Sequence, residues 1–236
     1  MGTLSIVATP IGNLEDITLR ALRTLKECDV IYAEDTRVIS KLLARYEIQK
    51  PLQRLDAATE IKKADEIIAR LERGESVALV SDAGTPGISD PGAMLISQIK
   101  ERFGHLNNSA IAESFKGQVE VIPIPGASAL IAALSASGLP THEFIYLGFL
   151  PHKKGRETLF KEMQESKRTV VFYESPHRIL KTLESLIKFC PNKKVCLARK
   201  ITKIYEEFKT GSPAELLEYL TKNPIHQKGE FTVLVV

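Results

Sequence analysis

The sequence contains few cysteines, little net charge and no long apolar run, and each of these shortages argues against a class of protein or site. The three cysteines among 236 residues form neither a CxxC pair nor a zinc-binding spacing, which predicts a reducing compartment and no structural metal. The N-terminus lacks a basic segment ahead of an apolar core, and no apolar run approaches membrane-spanning length. We therefore expect a cytoplasmic protein with no membrane partner.

The net charge of +3 neither requires nor excludes a nucleic-acid partner. Any basic binding surface must therefore come from local clustering of lysine and arginine.

The hydrophobic content of 44% is enough for a substantial core. Short β-branched runs alternate with amphipathic helical stretches, which is typical of an α/β protein with largely parallel sheets. The predicted strands are 4–8, 30–33, 77–80, 119–122, 144–150, 169–173, 194–198, 206–210 and 230–236. The predicted helices are 18–27, 37–46, 61–73, 93–102, 127–137, 155–164, 176–188 and 213–221.

Two domains are expected, 1–122 and 123–236, because Pro123 and Pro125 stiffen the chain just after a predicted strand. The last strands lie close together in sequence, so the second sheet should be mixed. Residues 105–118 have no clean periodicity and are expected to form an inserted surface segment.

Several predicted strands end in polar, glycine-rich turns, where open α/β sheets bind ligands. The turn after the first strand, 9–16, is not GxGxxG, so a dinucleotide-binding interpretation has little support. Gly12 would let the backbone approach a ligand. An ordinary turn with Asp16 or Thr18 capping the next helix explains this segment equally well.

The loop 81–92 is more informative. Two aspartates, three glycines and two prolines within twelve residues indicate a rigid pocket edge lined by polar groups. We favour a ligand role for the segment from Asp82 to Thr85. For Asp90, capping of the next helix behind Pro91 is the preferred interpretation.

Three further clusters each allow two interpretations. Ser128 could contact a carboxylate at a helix start or merely cap that helix. Glu174, His177 and Arg178 lie in one short turn at a predicted helix start that Ser175 would cap, and they could serve an active site or form a capping and ion-pair cluster. Glu34 and Asp35 could pair with Arg37 or contact a substrate.

Taken together, seven segments resemble one family. They are ATPIGNLEDITLRAL (8–22), AEDTR (33–37), VSDAGTPGISDPG (80–92), PIPGASALIAALSASGLP (123–140), FLPHKKG (149–155), VFYESPHR (171–178) and EEFKTG (206–211). The family is the bacterial 16S ribosomal RNA cytidine-2′-O-methyltransferase, a branch of the tetrapyrrole methylase superfamily. The segments run in order along nearly the whole chain.

The resemblance implies two α/β domains with a cleft between them that binds S-adenosylmethionine, and a homodimer. It implies a substrate in 16S ribosomal RNA of the small ribosomal subunit. The cofactor-binding residues that it implies are Pro10, Ile11, Gly12, Asp82, Ala83, Gly84, Thr85, Pro86, Gly126, Ser128, Ala129 and Tyr173.

Three departures from the family separate this chain from its relatives. The family's PGPSA is PGASA here, which loosens the turn but keeps Ser128. The segment 105–118 looks inserted. The chain also ends at Val236 without the small C-terminal module of many relatives, so we expect weaker RNA affinity or a contribution from elsewhere.

Methyl transfer from a sulfonium depends mainly on alignment in a dry site. A ribose hydroxyl is nevertheless a poor nucleophile, and a carboxylate from Glu34, Asp35 or Glu174 would help to remove its proton. The basic residues expected to contact RNA phosphates are Arg37, Lys153, Lys154, Arg156, Arg178, Arg199, Lys200 and Lys203. For each lysine, the alternative is a solvated surface charge.

Two other functions are kept open. The same scaffold could methylate a small tetrapyrrole, although the TPIGNLED turn differs from the GxGxGD-like turn of those relatives. The chain could also be a nucleic-acid-binding or nucleotide-binding module without catalysis.

Overall fold

The computed structural model describes residues 1–104 and 119–236. The predicted insertion, 105–118, lies outside the described residues. Packing within the chain defines two compact units, Met1–Ser128 and Ala129–Val236. The sequence had placed the boundary after residue 122. The strand β5 (Val119–Ile124) continues through Pro123 to Ile124 and pairs with β1 (Gly2–Val7) over that length, so these residues belong to the first sheet.

The first unit contains a five-stranded sheet in the order β3-β2-β4-β1-β5, in which every paired strand is parallel. Its elements are β1 (Gly2–Val7), α1 (Leu19–Glu27), β2 (Val30–Ala33), α2 (Thr36–Arg45), β3 (Leu52–Arg54), α3 (Glu60–Glu72), β4 (Ser76–Val80), α4 (Ala93–Gly104) and β5 (Val119–Ile124).

Two hydrophobic clusters form the core of this unit. One packs Leu4, Tyr32 and Leu79 with α3 and α4, and the other packs Val7 and Ile31 with α1 and α2. β2 and residues 77–80 of β4 consist of continuous buried apolar residues rather than alternating ones, as is typical of parallel sheets covered on both faces. All the strands point the same way, so all their carboxyl ends lie at one edge of the sheet.

The second unit contains a mixed sheet in the order β6-β7-β10-β8-β9. β6 and β7 are parallel, whereas the other paired strands are antiparallel, which confirms the predicted mixed sheet. Its elements are α5 (Ala129–Ala136), β6 (Phe144–Phe149), α6 (Arg156–Glu165), β7 (Thr169–Glu174), α7 (Ile179–Phe189), β8 (Val195–Arg199), β9 (Glu207–Gly211), α8 (Pro213–Lys222) and β10 (Phe231–Val235).

Local signals explain where several helices begin. The Thr18 side chain accepts the Ala21 N–H at 3.1 Å and caps α1. α8 begins with a capping box between Ser212 and Glu215, with Pro213 at its first position. These arrangements satisfy N–H groups that have no partner within the helix.

Two local predictions were wrong. β3 was missed because it is only three residues long and largely exposed, so it carries no apolar alternation. The helix expected from Pro176 begins at Ile179, because the chain first makes a turn in which the Ser175 carbonyl accepts the N–H groups of Arg178 and Ile179. Ser175 therefore does not cap α7.

The three cysteines are buried free thiols. Within residues 1–104 and 119–236, the helices are all too short or too polar to cross a membrane.

Candidate functional site

The carboxyl edge of the first sheet collects the loops that follow β1, β2, β4 and β5. Ligands of open α/β sheets bind at this edge. The loops after β1 and β4 are joined by a pair of backbone hydrogen bonds between Thr9 and Gly84, at 2.8 and 3.0 Å. The buried Thr9 hydroxyl also donates to the Ser81 carbonyl at 3.0 Å. These two loops therefore hold each other in place.

Glycine makes the close approach of these loops possible. Gly84 has a φ of +87°, and a Cβ there would lie 3.5 Å from Cγ2 of Ile11. A Cβ at Gly126 would lie only 2.9 Å from the Cβ of Ala8. The Thr85 hydroxyl donates to the Ala127 carbonyl at 3.4 Å. The loops after β1, β4 and β5 thus meet as one surface.

Most of the cofactor-binding residues expected from the sequence lie on these three loops. Pro10, Gly84 and Pro86 are buried and support the loops. A second set is exposed or half-buried: Ile11, Gly12, Asp82, Ala83, Thr85, Gly126 and Ser128. The last two expected residues, Ala129 and Tyr173, belong to the second unit.

A group of carboxylates lies beside these loops. Asp82 Oδ1 accepts the backbone N–H of Asp35 at 2.8 Å, which joins the ends of β4 and β2. Burial raises the pKa of Asp90 to about 6, and the nearby Glu34 and Asp82 carboxylates add to the increase. Burial also raises the pKa of Glu34, with Asp82 and Asp56 as the next contributors. Desolvation and like charges both disfavour the ionised form.

Asp35 and Arg37 form the local pair that the sequence suggested. Asp35 caps α2 by accepting the Arg37 N–H at 2.9 Å, and the Arg37 Nε also donates to it at 2.9 Å. These bonds lower the pKa of Asp35 to about 2. Arg37 is otherwise free toward solvent, with 88% of its side chain exposed.

The expected capping role of Asp90 is wrong. The start of α4 is instead capped by the buried Glu60 of α3, whose Oε1 accepts the N–H groups of Gly92 and Leu95 at 3.0 and 2.9 Å. Asp90 lies instead near Ser81 and the other acids. Sequence reasoning therefore missed it as a candidate functional residue, although a second aspartate in the 81–92 loop was an available signal.

Tyr173 and Glu174 end β7 in the second unit. The Tyr173 hydroxyl accepts the Leu130 N–H at 3.1 Å, and its ring packs edge-on against Tyr146 and Phe149. The Glu174 side chain has no exposed surface and is paired with Arg156 and Arg178. Its burial and pairing favour a structural role over proton removal from a substrate.

Five of the basic residues in the second unit that were expected to contact RNA, Lys153, Lys154, Arg156, Arg178 and Arg199, fall into two groups. Arg156 and Arg178 have only 15% and 17% of their side chains exposed and are bound to Glu174. Arg199 is buried, donates to Glu207 and the Lys228 carbonyl at 3.0 Å, and contacts His226. These arginines are therefore occupied within the unit, which favours structural roles. The remaining two, Lys153 and Lys154, are exposed between β6 and α6.

Comparison with known proteins places this geometry in a family. The model of the tetrapyrrole (corrin/porphyrin) methylases matches residues 3–217. The protein named ribosomal RNA small subunit methyltransferase I from Thermotoga maritima is 43% identical, over 100% of this chain and 98% of that protein. The protein of the same name from Halalkalibacterium halodurans is 45% identical, over 99% of this chain and 75% of its own length.

Solved structures show the same fold at lower identity. Diphthine synthase gives a TM-score of 0.72 at 18% identity, with 100% of this chain and 90% of that chain covered. The methyltransferase CobJ gives 0.69 at 21% identity, covering 100% and 94%. A uroporphyrin-III C-methyltransferase from Thermus thermophilus, complexed with S-adenosyl homocysteine, gives 0.63 at 18%, covering 99% and 97%. On the strength of the full-length matches, the chain belongs to the ribosomal RNA small subunit methyltransferase I family, within the tetrapyrrole methylases.

Proposed function

We propose that this protein transfers a methyl group from S-adenosylmethionine to the 2′-hydroxyl of a cytidine ribose in 16S ribosomal RNA. The observation that carries the proposal is the 43% identity to a small-subunit ribosomal RNA methyltransferase over the whole chain. That match includes every loop at the carboxyl edge of the first sheet.

The loops at this edge suit a small, polar and positively charged cofactor. Exposed backbone at Gly12, Ala83 and Gly126 can donate and accept hydrogen bonds, while Asp82 and its acidic neighbours favour positive charge. The residues proposed to hold the cofactor are Pro10, Ile11, Gly12, Asp82, Ala83, Gly84, Thr85, Pro86, Gly126 and Ser128. The contributions of Ala129 and Tyr173, and the cleft between the domains, stay predictions.

S-adenosylmethionine, when bound, supplies a methyl group whose carbon–sulfur bond breaks as the bond to the ribose oxygen forms. The protein's own task is to hold the hydroxyl in line and accept its proton. We assign the proton to Glu34 or Asp90, since both pKa values are raised, that of Asp90 to about 6, close to the neutral range. Asp35 is a weaker base, because its pairing with Arg37 lowers its pKa to about 2.

The RNA contacts proposed here are fewer than those expected from the sequence. They are Arg37 in the first unit and Lys153 and Lys154 in the second, whose side chains are exposed. Exposed lysine and arginine side chains bind phosphate oxygens at little desolvation cost. The homodimer implied by the resemblance also stays a prediction.

Methyl transfer to defined acceptors tests this function. The protein is incubated with tritium-labelled S-adenosylmethionine and, separately, small ribosomal subunits, naked 16S ribosomal RNA or uroporphyrinogen. Nucleoside analysis by mass spectrometry should show 2′-O-methylcytidine. Label in uroporphyrinogen alone would contradict the proposal, and cofactor binding by calorimetry without transfer to any acceptor would favour a binding module.

A further inference from the structure

The carboxylate of Glu174 lies at the centre of a buried network in the second unit. Its Oε1 accepts the Ser175 N–H at 2.9 Å and lies 2.6 Å from Nε of Arg178. Its Oε2 accepts hydrogen bonds from the Thr182 hydroxyl at 2.7 Å and from Nη2 of Arg156 at 3.3 Å. A buried carboxylate is costly unless donors replace its lost water, and here both oxygens are supplied.

The two arginines of this network also bind the backbone of another segment. Arg156 Nη1 donates to the Pro151 carbonyl at 3.1 Å, and Arg178 Nη1 donates to the Leu150 carbonyl at 2.8 Å. These consecutive residues directly follow β6. Because a guanidinium group is planar and presents its donors in a fixed geometry, an arginine anchored on Glu174 also fixes the carbonyl that it binds.

The segment fixed in this way leads into exposed basic residues. His152, Lys153 and Lys154 are all exposed and lie just before the N-terminus of α6. The N-terminus of a helix carries partial positive charge, so these lysines are repelled by the helix and by each other. Electrostatics alone would therefore spread the segment over many conformations, and the bonds at Leu150 and Pro151 oppose this.

We propose that Glu174, acting through Arg156 and Arg178, is a positioning residue that holds the 150–155 loop where Lys153 and Lys154 can bind RNA phosphates. That Lys153 and Lys154 bind RNA phosphates rests on the proposed function. The ordering of the 150–155 loop by Glu174 does not depend on it. An ion pair that served the core alone would not need both arginines to bind successive carbonyls of one loop.

Limited trypsin digestion, carried out without RNA or cofactor, measures how firmly the 150–155 loop is fixed in one conformation. Glu174→Gln keeps the size of the side chain but turns an N–H₂ donor toward an arginine. We expect cleavage after Lys153 or Lys154 to be about tenfold faster than in the unmodified protein, at a temperature where circular dichroism shows both folded. Glu207→Gln is the matched control, since Glu207 is paired with Arg199 away from this loop, and its cleavage rate there should stay within about twofold.

Steady-state kinetics then measures how the altered loop affects RNA binding. In Glu174→Gln, the KM for RNA should rise about tenfold and change by a larger factor than kcat, whereas Glu207→Gln should leave the KM for RNA unchanged. Should Glu174→Gln fail to fold, Arg178→Met removes the bond to the Leu150 carbonyl while Arg156 stays paired with Glu174. The same increases in cleavage and KM are expected for it.

A loop that stays as resistant to trypsin as the unmodified protein in both variants would overturn the proposal. Faster cleavage with an unchanged KM for RNA would overturn the role in RNA binding. If the unmodified protein methylated no RNA, the proposed function would fail instead, and the digestion result would still decide whether Glu174 holds the loop.

Discussion

The backbone N–H of Asp35 donates to Oδ1 of Asp82 at 2.8 Å, so the ends of β2 and β4 are joined through one carboxylate. Asp82 therefore fixes the backbone of Asp35 and also lies in one of the loops proposed to bind the cofactor. It is for this reason the first residue that we propose to mutate.

We predict that Asp82→Ala weakens cofactor binding at least tenfold, because it removes a negative charge and leaves the Asp35 N–H without its acceptor. Isothermal titration calorimetry with S-adenosylmethionine measures the change. Asp82→Asn is the control, since it removes the negative charge but can keep an oxygen that accepts the Asp35 N–H. Comparing the two variants separates the effect of the charge from that of the hydrogen bond. Unchanged affinity in the alanine variant would show that the cofactor binds elsewhere.

A methyl group at Gly126 should push the loops after β1 and β5 apart, because its Cβ would lie 2.9 Å from the Cβ of Ala8. Gly126→Ala should destabilise the protein by about 1–3 kcal/mol, the range for overpacking a tight contact, and weaken cofactor binding. Denaturant unfolding and calorimetry check both effects. The double variant with Ala8→Gly should recover part of each loss, and additive effects would count against a direct clash.

The pH dependence of stability should reveal Asp90. Its pKa in the folded protein is about 6, above the ordinary value of 3.8, so the folded state binds the proton more tightly and stability falls as pH rises from about 4 to 6. Asp90→Asn should remove this fall and stabilise the protein by about 1–3 kcal/mol above pH 7, allowing for partial solvation. Urea unfolding across pH 4–8 gives the measurement.

Asp56 provides a control, because its contribution to stability should change with pH in the opposite direction. Hydrogen bonds from Thr59 lower the pKa of Asp56, so its contribution to stability is present above its unfolded pKa and is lost as pH falls. Asp56→Asn should therefore destabilise at neutral pH. An Asp90→Asn variant whose stability still fell between pH 4 and 6 would contradict the assignment of Asp90. An Asp56→Asn variant as stable as the unmodified protein at neutral pH would contradict that of Asp56.

The salt dependence of RNA binding should identify the phosphate contacts. Each of Lys153→Ala and Lys154→Ala should reduce the slope of log affinity against log salt by about 1, because one fewer counterion is released. Filter binding at several salt concentrations measures the slope. Lys222→Ala is the control, since Lys222 is paired with Glu218 on α8 and should leave the slope unchanged.

The sequence predicts the architecture well where apolar patterns are long. β2 and residues 77–80 of β4 are uninterrupted apolar runs, and the small-residue and amphipathic helices were placed within a few residues. β3 could not be found, because three exposed residues carry no pattern and pair only through backbone bonds.

The site is predicted less completely, because partners distant in sequence decide what a polar residue does. Loop composition identified the segments around Gly12, Asp82 and Gly126. It could not show that Glu60 would take the capping position expected for Asp90. It also could not show that Arg156, from a different segment, would join Arg178 in pairing with Glu174.

The reciprocal backbone hydrogen bonds between Thr9 and Gly84 make the loops after β1 and β4 depend on each other. A substitution in one loop will be tolerated only if the other still fits, so variation at these positions should be correlated among functional proteins. Attempts to redesign the acceptor or cofactor preference should therefore exchange the two loops together, because grafting either one alone would break the shared backbone pairing.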